Sequence, residues 1–324
     1  MTVTEVGTMR AIQVSRFGGP EALKLAELPD PVPGPGQLLI QVTGAGVNFA
    51  DTSRVAGSYQ PAPALPFVPG TEVVGTTADG RRVLALNFAG GGYAERAVVD
   101  AATTVEVPAQ VGDATALALL VQGLTAWHVL RGSARLRDGE TVVIGAAAGG
   151  VGSLAVRLAR HFGAGLVIAA ASTPEKREKA LRLGADVALD SAPDGFAERV
   201  RDATGGRGAD VVLESTGGAA FTAGLDALAP FGRLVTFGNA SRQGRPPVDP
   251  GELSDRNLAV AGFWLRPVVT LPGHFREPLT ELFALAVDGR LTLPPGPAYP
   301  LDEAHRAHRD LIGRRTTGKV ILRP

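Results

Sequence analysis

The stretch Thr141–Gly163, TVVIGAAAGGVGSLAVRLARHFG, constrains the fold of this chain more than any other. Thr141–Ile144 is apolar and β-branched, which predicts a short buried strand. Gly145–Gly152 holds only glycine, alanine and one valine. From there Val151, Leu154, Ala155, Leu158 and Phe162 recur at helical spacing and predict a helix with one buried stripe. Strand, small-residue turn and helix form the first half of a dinucleotide-binding unit. A pyrophosphate must approach the backbone N–H groups at the helix N-terminus, and a Cβ in its path would hold it off. Ala147, Gly149 and Gly152 take the three glycine positions of the fingerprint, with Gly150 and Val151 between the last two. A tight turn with no ligand is the competing reading. A second apolar strand, Gly165–Ala171, follows at once and favours the dinucleotide.

With 324 residues the chain is long for one core, so two domains are expected. Basic and acidic residues balance at 32 each, which leaves no electrostatic footprint for nucleic acid or an anionic membrane. No apolar run of about 18 residues predicts a membrane span. The opening MTVTEVGTMR lacks a basic segment followed by an apolar core, so a soluble cytoplasmic location is expected. The absence of cysteine removes disulfides, thiolate nucleophiles and thiolate metal ligands together. The histidines (His128, His161, His274, His305, His308) form no metal-ligand pattern, and His305 and His308 read as part of a solvated helix near Arg306 and Arg309.

Taken in order, Arg10–Val14, Leu23–Leu28 and Leu38–Val47 read as short strands broken by proline and glycine. Asn48–Arg54 marks a strand-to-helix junction, and the proline-rich 57–69 segment a cleft-lining loop. Strands resume at Thr71–Gly75, Arg82–Asn87 and Tyr93–Val99, then helices at 114–131. Beyond Thr141, strands and helices alternate through strands 165–171, 186–189, 209–214, 232–238 and 257–265. That alternation implies a parallel sheet with helices on both faces. The tail, helical at 275–290 and 301–312 with a last strand at 319–322, is expected to rejoin the first domain. The fold class is therefore α/β, a doubly wound Rossmann-type domain (124–266) beside a β-rich, barrel-like domain (1–123 with 267–324).

An NAD-preferring site places an acid after the second sheet strand for the ribose 2′-OH. Here Ala171 is followed by neutral Ser172, and then by Lys176 and Arg177 in the first turn of a helix, which suits a 2′-phosphate. Solvated charges on a helix surface are the alternative.

Eight segments then resemble one family in order along nearly the whole chain. They are GVNFADTSRVAGSY (46–59), LPFVPGTEVVG (65–75), GGYAERAVV (91–99), QGLTAWHVL (122–130), AAAGGVG (146–152), GGRGADVVLESTGG (205–218), FGNAS (237–241) and GKVIL (318–322). The chain resembles the zinc-independent quinone oxidoreductase (zeta-crystallin-like) branch of the medium-chain dehydrogenase/reductase superfamily, whose β-rich domain is GroES-like. Zinc-dependent members carry Gly-His-Glu where this chain has Gly70-Thr71-Glu72, and they use cysteine ligands absent here.

The resemblance implies NADPH, with NADH second, and a quinone or α,β-unsaturated carbonyl as the small-molecule acceptor. Such acceptors spread incoming charge over a conjugated system and need no Lewis acid, unlike a simple ketone. It also implies that Asn48, Asp51 and Tyr59 line the cleft as the catalytic set, and that Thr125 sits near the nicotinamide. Gly238 and Asn239, on a loop after a sheet strand, would face the cofactor, while Glu72 reads as structural. Ser53 and Ser191 stand where some relatives have tyrosine, which bears on substrate and on 2′-phosphate support respectively. A homodimer pairing through strand 257–265 is implied too. Two rivals stay open: an enoyl-thioester reductase of polyketide or fatty-acyl chemistry, and an NADPH-binding sensor or structural protein with little turnover.

Overall fold

The computed structural model describes residues 7–293 and 296–324; residues 1–6, part of the N-terminus read for a leader, lie outside it. The chain divides into two compact units, one running to Val121 and resuming at Val268, the other Gln122–Pro267.

The first unit opens with an antiparallel pair, β1 (Thr8–Gln13) and β2 (Lys24–Pro29). β3 (Gln37–Val47) is eleven residues long, and the unpaired Thr43 shifts its register against β4 (Glu72–Thr77) between Val42 and Gly44. Between them stands helix α1 (Phe49–Val55). β5 (Arg82–Leu86), β6 (Arg96–Asp100) and β7 (Thr104–Glu106) follow, then α2 (Asp113–Leu117). The strand expected at Tyr93–Val99 thus starts three residues later. Tyr93 N and O instead bond Pro69 O and Ile12 N outside any named strand.

The second unit begins in helical turns that include α3 (Leu124–His128). The helical stretch Asp113–Ser133 has the length and apolarity of a membrane span, yet 67% of it is buried in protein, as for a core helix. Six strands then form a parallel sheet: β8 (Thr141–Ile144), β9 (Leu166–Ala171), β10 (Val187–Asp190), β11 (Ala209–Glu214), β12 (Leu228–Thr236) and β13 (Ala259–Gly262). Their spatial order is β10-β9-β8-β11-β12-β13, so the winding reverses between β8 and β11. Connecting them are α4 (Gly150–His161), α5 (Pro174–Arg182), α6 (Phe196–Ala203), α7 (Ala219–Asp226) and α8 (Pro250–Arg256). The single stripe expected on α4 is too narrow a description. Leu154, Ala155, Leu158 and Phe162 are buried, but so are Gly152, Ser153, Val156 and Ala159, because small side chains let neighbours approach on several sides.

The strand expected over 257–265 shrinks to four residues. Asn257 takes φ 55° as the C-cap of α8, a helix the sequence reading missed, and one-turn α9 (Leu265–Val268) begins two residues after Phe263. Propensity read the apolar run as one strand; the capping asparagine breaks it.

The tail rejoins the first unit through α10 (Arg276–Val287), β14 (Ala298–Pro300), α11 (Ala304–Ile312) and β15 (Val320–Arg323). β15 pairs antiparallel with β3, completing the sheet order β14-β15-β3-β4-β5-β7, with β6 also on β3. Ile12, Ile40, Val42, Tyr93, Leu301 and Leu322 share one core, drawn from both ends of the chain.

Candidate active site

In the second unit, the turn after β8 is shaped by backbone. Ala146 takes the left-handed corner at φ 48°, and its carbonyl accepts from Gly149 N at 2.8 Å. Ala147, at the first fingerprint position, is instead fully buried and donates its N–H to Ala170 O at 3.1 Å. A Cβ on Gly152 would collide with the Ala146 carbonyl, and one on Gly150 with the Gln122 side chain. Gly149 precedes the helix without any side-chain cap, and Val151 enters its first turn. The first N–H groups of α4 lack helical partners and no side chain of Gly149 or Gly150 covers them. A dinucleotide pyrophosphate fits that surface, at the carboxyl end of β8 beside the winding reversal.

β9 ends at Ala171, and Ser172 is exposed. Thr173 caps α5, its Oγ1 accepting Lys176 N at 3.3 Å, which sets Lys176 and Arg177 in the first turn. Arg177 is not merely solvated: its Nη1 donates to Ala171 O at 3.1 Å and to Asp190 Oδ2 at 3.0 Å. Asp190 in turn accepts Ala192 N at 2.9 Å, and that bond with the Arg177 charge holds its pKa low against some desolvation.

Across the reversal, Glu214 ends β11 and is a residue the sequence reading missed. It is buried, which pushes its pKa up, and its Oε1 accepts Gly217 N at 2.9 Å and Thr216 N. Its Oε2 is buried with no hydrogen-bond partner. The loop it caps is stitched to the loop after β12 by Ala240 N to Ser215 O at 3.1 Å and Ser241 N to Thr216 O at 2.8 Å. Gly238 has no room for a Cβ beside Ser215, and Asn239 Oδ1 accepts Gly244 N at 3.2 Å. The signal was a lone acid ending an apolar strand before Ser-Thr-Gly-Gly. Thr125 lies on α3, buried.

The first unit holds a separate polar centre. Lys319 and Glu72 form an ion pair at 2% and 0% side-chain exposure. The Asn48 amide lies between them: its Oδ1 accepts Lys319 Nζ at 2.9 Å, and its Nδ2 donates to Glu72 Oε1 at 2.7 Å. Flipping that amide would set its NH2 against the ammonium and its oxygen against the carboxylate, so the charges fix its orientation. Glu72 Oε2 accepts Val121 N at 3.1 Å. Gly46 has no alternative here, since a Cβ would strike both Glu72 and Lys319.

Asp51 sits behind this pair with 0% exposure, so the expectation that it lines a cleft is corrected: it can act only through its neighbours. Its Oδ2 accepts Asn48 N at 2.8 Å and the Tyr93 hydroxyl at 3.2 Å. Desolvation raises its pKa to about 6 against the pull of the Asn48 N–H and Lys319. The Tyr93 hydroxyl also meets His308 Nε2 at 3.1 Å, and burial raises the Tyr93 pKa well above 10.0. His308, expected in solvent, is 1% exposed, and desolvation lowers its pKa to about 3. It faces inward because α11 packs its Ala304, Ala307 and His308 side chains on the core while Arg306 and Arg309 face out. Tyr59 is half-buried, with the Arg54 guanidinium 5.9 Å from its ring centre.

Two family descriptions match: alcohol dehydrogenase GroES-like domain over residues 34–109, and zinc-binding dehydrogenase over 150–284. A quinone oxidoreductase of Pseudomonas aeruginosa is 35% identical, covering 97% of this chain and 99% of that protein. The chain belongs to the zinc-independent quinone oxidoreductases of the medium-chain dehydrogenase/reductase superfamily. A quinone oxidoreductase of Thermus thermophilus, solved in complex with NADPH, superposes with a TM-score of 0.88 at 40% identity, over 98% of this chain and 100% of that one. A mycocerosic acid synthase-like polyketide synthase of Mycobacterium tuberculosis is 35% identical over 96% of this chain, which spans 15% of that protein. Among the described residues no cluster of His, Asp or Glu is arranged to hold a metal.

Proposed function

We propose that this chain is an NADPH-dependent reductase that transfers hydride to a quinone or an α,β-unsaturated carbonyl. Full-length similarity to quinone oxidoreductases, one of them solved with NADPH, carries the reading. The cofactor supplies the hydride from its nicotinamide when bound. The chain's own residues bind and orient. The turn at Gly149, Gly150, Val151 and Gly152 receives the pyrophosphate at the N-terminus of α4, and Lys176 and Arg177 face the 2′-phosphate beside Ser172. Gly238 and Asn239, on the loop stitched to the Glu214-capped loop, face the cofactor, and Thr125 sits near its nicotinamide. Asn48 presents an amide of fixed orientation, and Tyr59 donates a hydroxyl to the acceptor oxygen, while Asp51 positions Asn48 from behind. Positioning and exclusion of water are the protein's contribution.

The polyketide synthase match supports a second reading, reduction of an enoyl thioester. We also propose a cytoplasmic homodimer joined at the sheet edge formed by β13, where Trp264 is 44% exposed. Sedimentation at micromolar concentration should give twice the chain mass.

The deciding experiment follows NADPH and NADH oxidation against a benzoquinone, a naphthoquinone, an enone and a crotonyl thioester. Turnover on quinones or enones with NADPH is expected, and exhaustive chelation should leave it intact. Turnover on the thioester alone would move the chain to acyl chemistry. Tight NADPH binding without oxidation would make it a sensor.

A further inference from the structure

We propose that Asp190 is a specificity-determining residue, which by holding Arg177 limits how strongly the chain prefers NADPH over NADH. This rests on the reading of Arg177 as a 2′-phosphate group. In a doubly wound sheet, an acid at the end of the second strand accepts from the ribose 2′-OH of NAD, and arginine there answers the 2′-phosphate of NADP. Here the second strand, β9, ends at Ala171 and is followed by Ser172, without an acid. The neighbouring strand supplies one instead, since β10 pairs with β9 so that Asp190 stands opposite Ala171. Its Oδ2 takes Arg177 Nη1 at 3.0 Å, and Ala171 O takes the same nitrogen at 3.1 Å.

The guanidinium is thereby laid across the ends of both strands with part of its charge already answered. A 2′-phosphate, carrying about two negative charges, must share Arg177 with a carboxylate that repels it. The 2′-hydroxyl of NADH meets no such penalty and finds an acceptor close by. Asp190 thus acts against the phosphate and for the hydroxyl.

Replacing Asp190 with Asn separates the two effects. The remaining side-chain oxygen can keep the bond to Ala192 N, and Ala171 O still holds Arg177. The competing charge is lost together with the bond from Arg177 Nη1, because the amide NH2 that replaces Oδ2 cannot accept it. The experiment measures kcat/KM for NADPH and NADH with one benzoquinone in wild type, Asp190→Asn and Arg177→Ala. Asp190→Asn should raise the NADPH:NADH ratio roughly three- to tenfold at about 50 mM salt, with the gain shrinking near 500 mM as screening sets in. Arg177→Ala should lower the ratio. An unchanged or lower ratio in Asp190→Asn, with Arg177→Ala still lowering the ratio, would overturn the role of Asp190 alone. Equal effects of Arg177→Ala on both cofactors would overturn the 2′-phosphate reading, and this proposal with it.

Discussion

Replacing Lys319 with methionine should expose what holds the first unit together. Lys319 and Glu72 are 2% and 0% exposed, so the substitution strands a carboxylate whose remaining partners are Asn48 Nδ2 and Val121 N. Breaking a buried pair by removing one member costs about 3–5 kcal/mol. The expected loss in Lys319→Met is therefore about 3–5 kcal/mol, a drop in Tm of roughly 6–20 °C for a unit of this size. Urea unfolding of wild type, Lys319→Met and Lys319→Met/Glu72→Gln at pH 7 measures it. The double variant should recover most of the stability, because no charge is left unpaired. A single-variant loss below about 1 kcal/mol would refute the reasoning.

Three further outcomes are expected. Asp51 has a folded-state pKa raised from 3.8 to about 6, so its contribution is most favourable below about pH 4 and is lost as pH rises through 6. Asp51→Asn should therefore gain on wild type by up to about 3 kcal/mol between pH 4 and pH 8, and a flat difference in urea midpoints would count against it. His308 has the opposite sign: lowered to about 3, it stabilises above about pH 6.5 and loses that as pH falls. His308→Gln should thus be spared about 2 kcal/mol of wild-type loss at pH 5, and unfolding curves that soften equally in both proteins would contradict it. Gly152→Ala drives a Cβ into the Ala146 carbonyl, so KM for NADPH and NADH should rise together by about tenfold or more, whereas an unaltered KM would remove this turn from the cofactor site.

Much of the second unit was legible because its signals are local. Thr141–Ile144 and Ala209–Glu214 are apolar runs bounded by glycine or charge, and both strands form over those residues. Asn257 defeated the same reasoning, since a left-handed cap inside an apolar run is decided by the preceding α8, itself begun by Asp249 and Pro250. The polar centre was legible residue by residue and illegible as a centre. Asn48, Asp51, Glu72, Tyr93, His308 and Lys319 lie on five separate stretches, and the pairing of β4 and β15 with β3 and the buried face of α11 gather them. His308 shows the limit most sharply: arginines beside it pointed to solvent, while the register of one helix turned it inward. Asp190 escaped notice because its meaning depends on which strand lies beside β9.

The route of the chain has a consequence for how the protein forms during synthesis. Glu72 waits for a lysine 247 positions downstream, and Tyr93 for a histidine 215 positions downstream. All of Gln122–Pro267 leaves the ribosome in between, and that unit's sheet uses no strand from outside it. The order of birth is thus the reverse of the order of completion. The part that emerges first must persist with a buried-to-be carboxylate open to water, while the later-born unit can close its own core. A nascent chain halted before residue 319 should resist protease across 122–267 and be cut within 7–121.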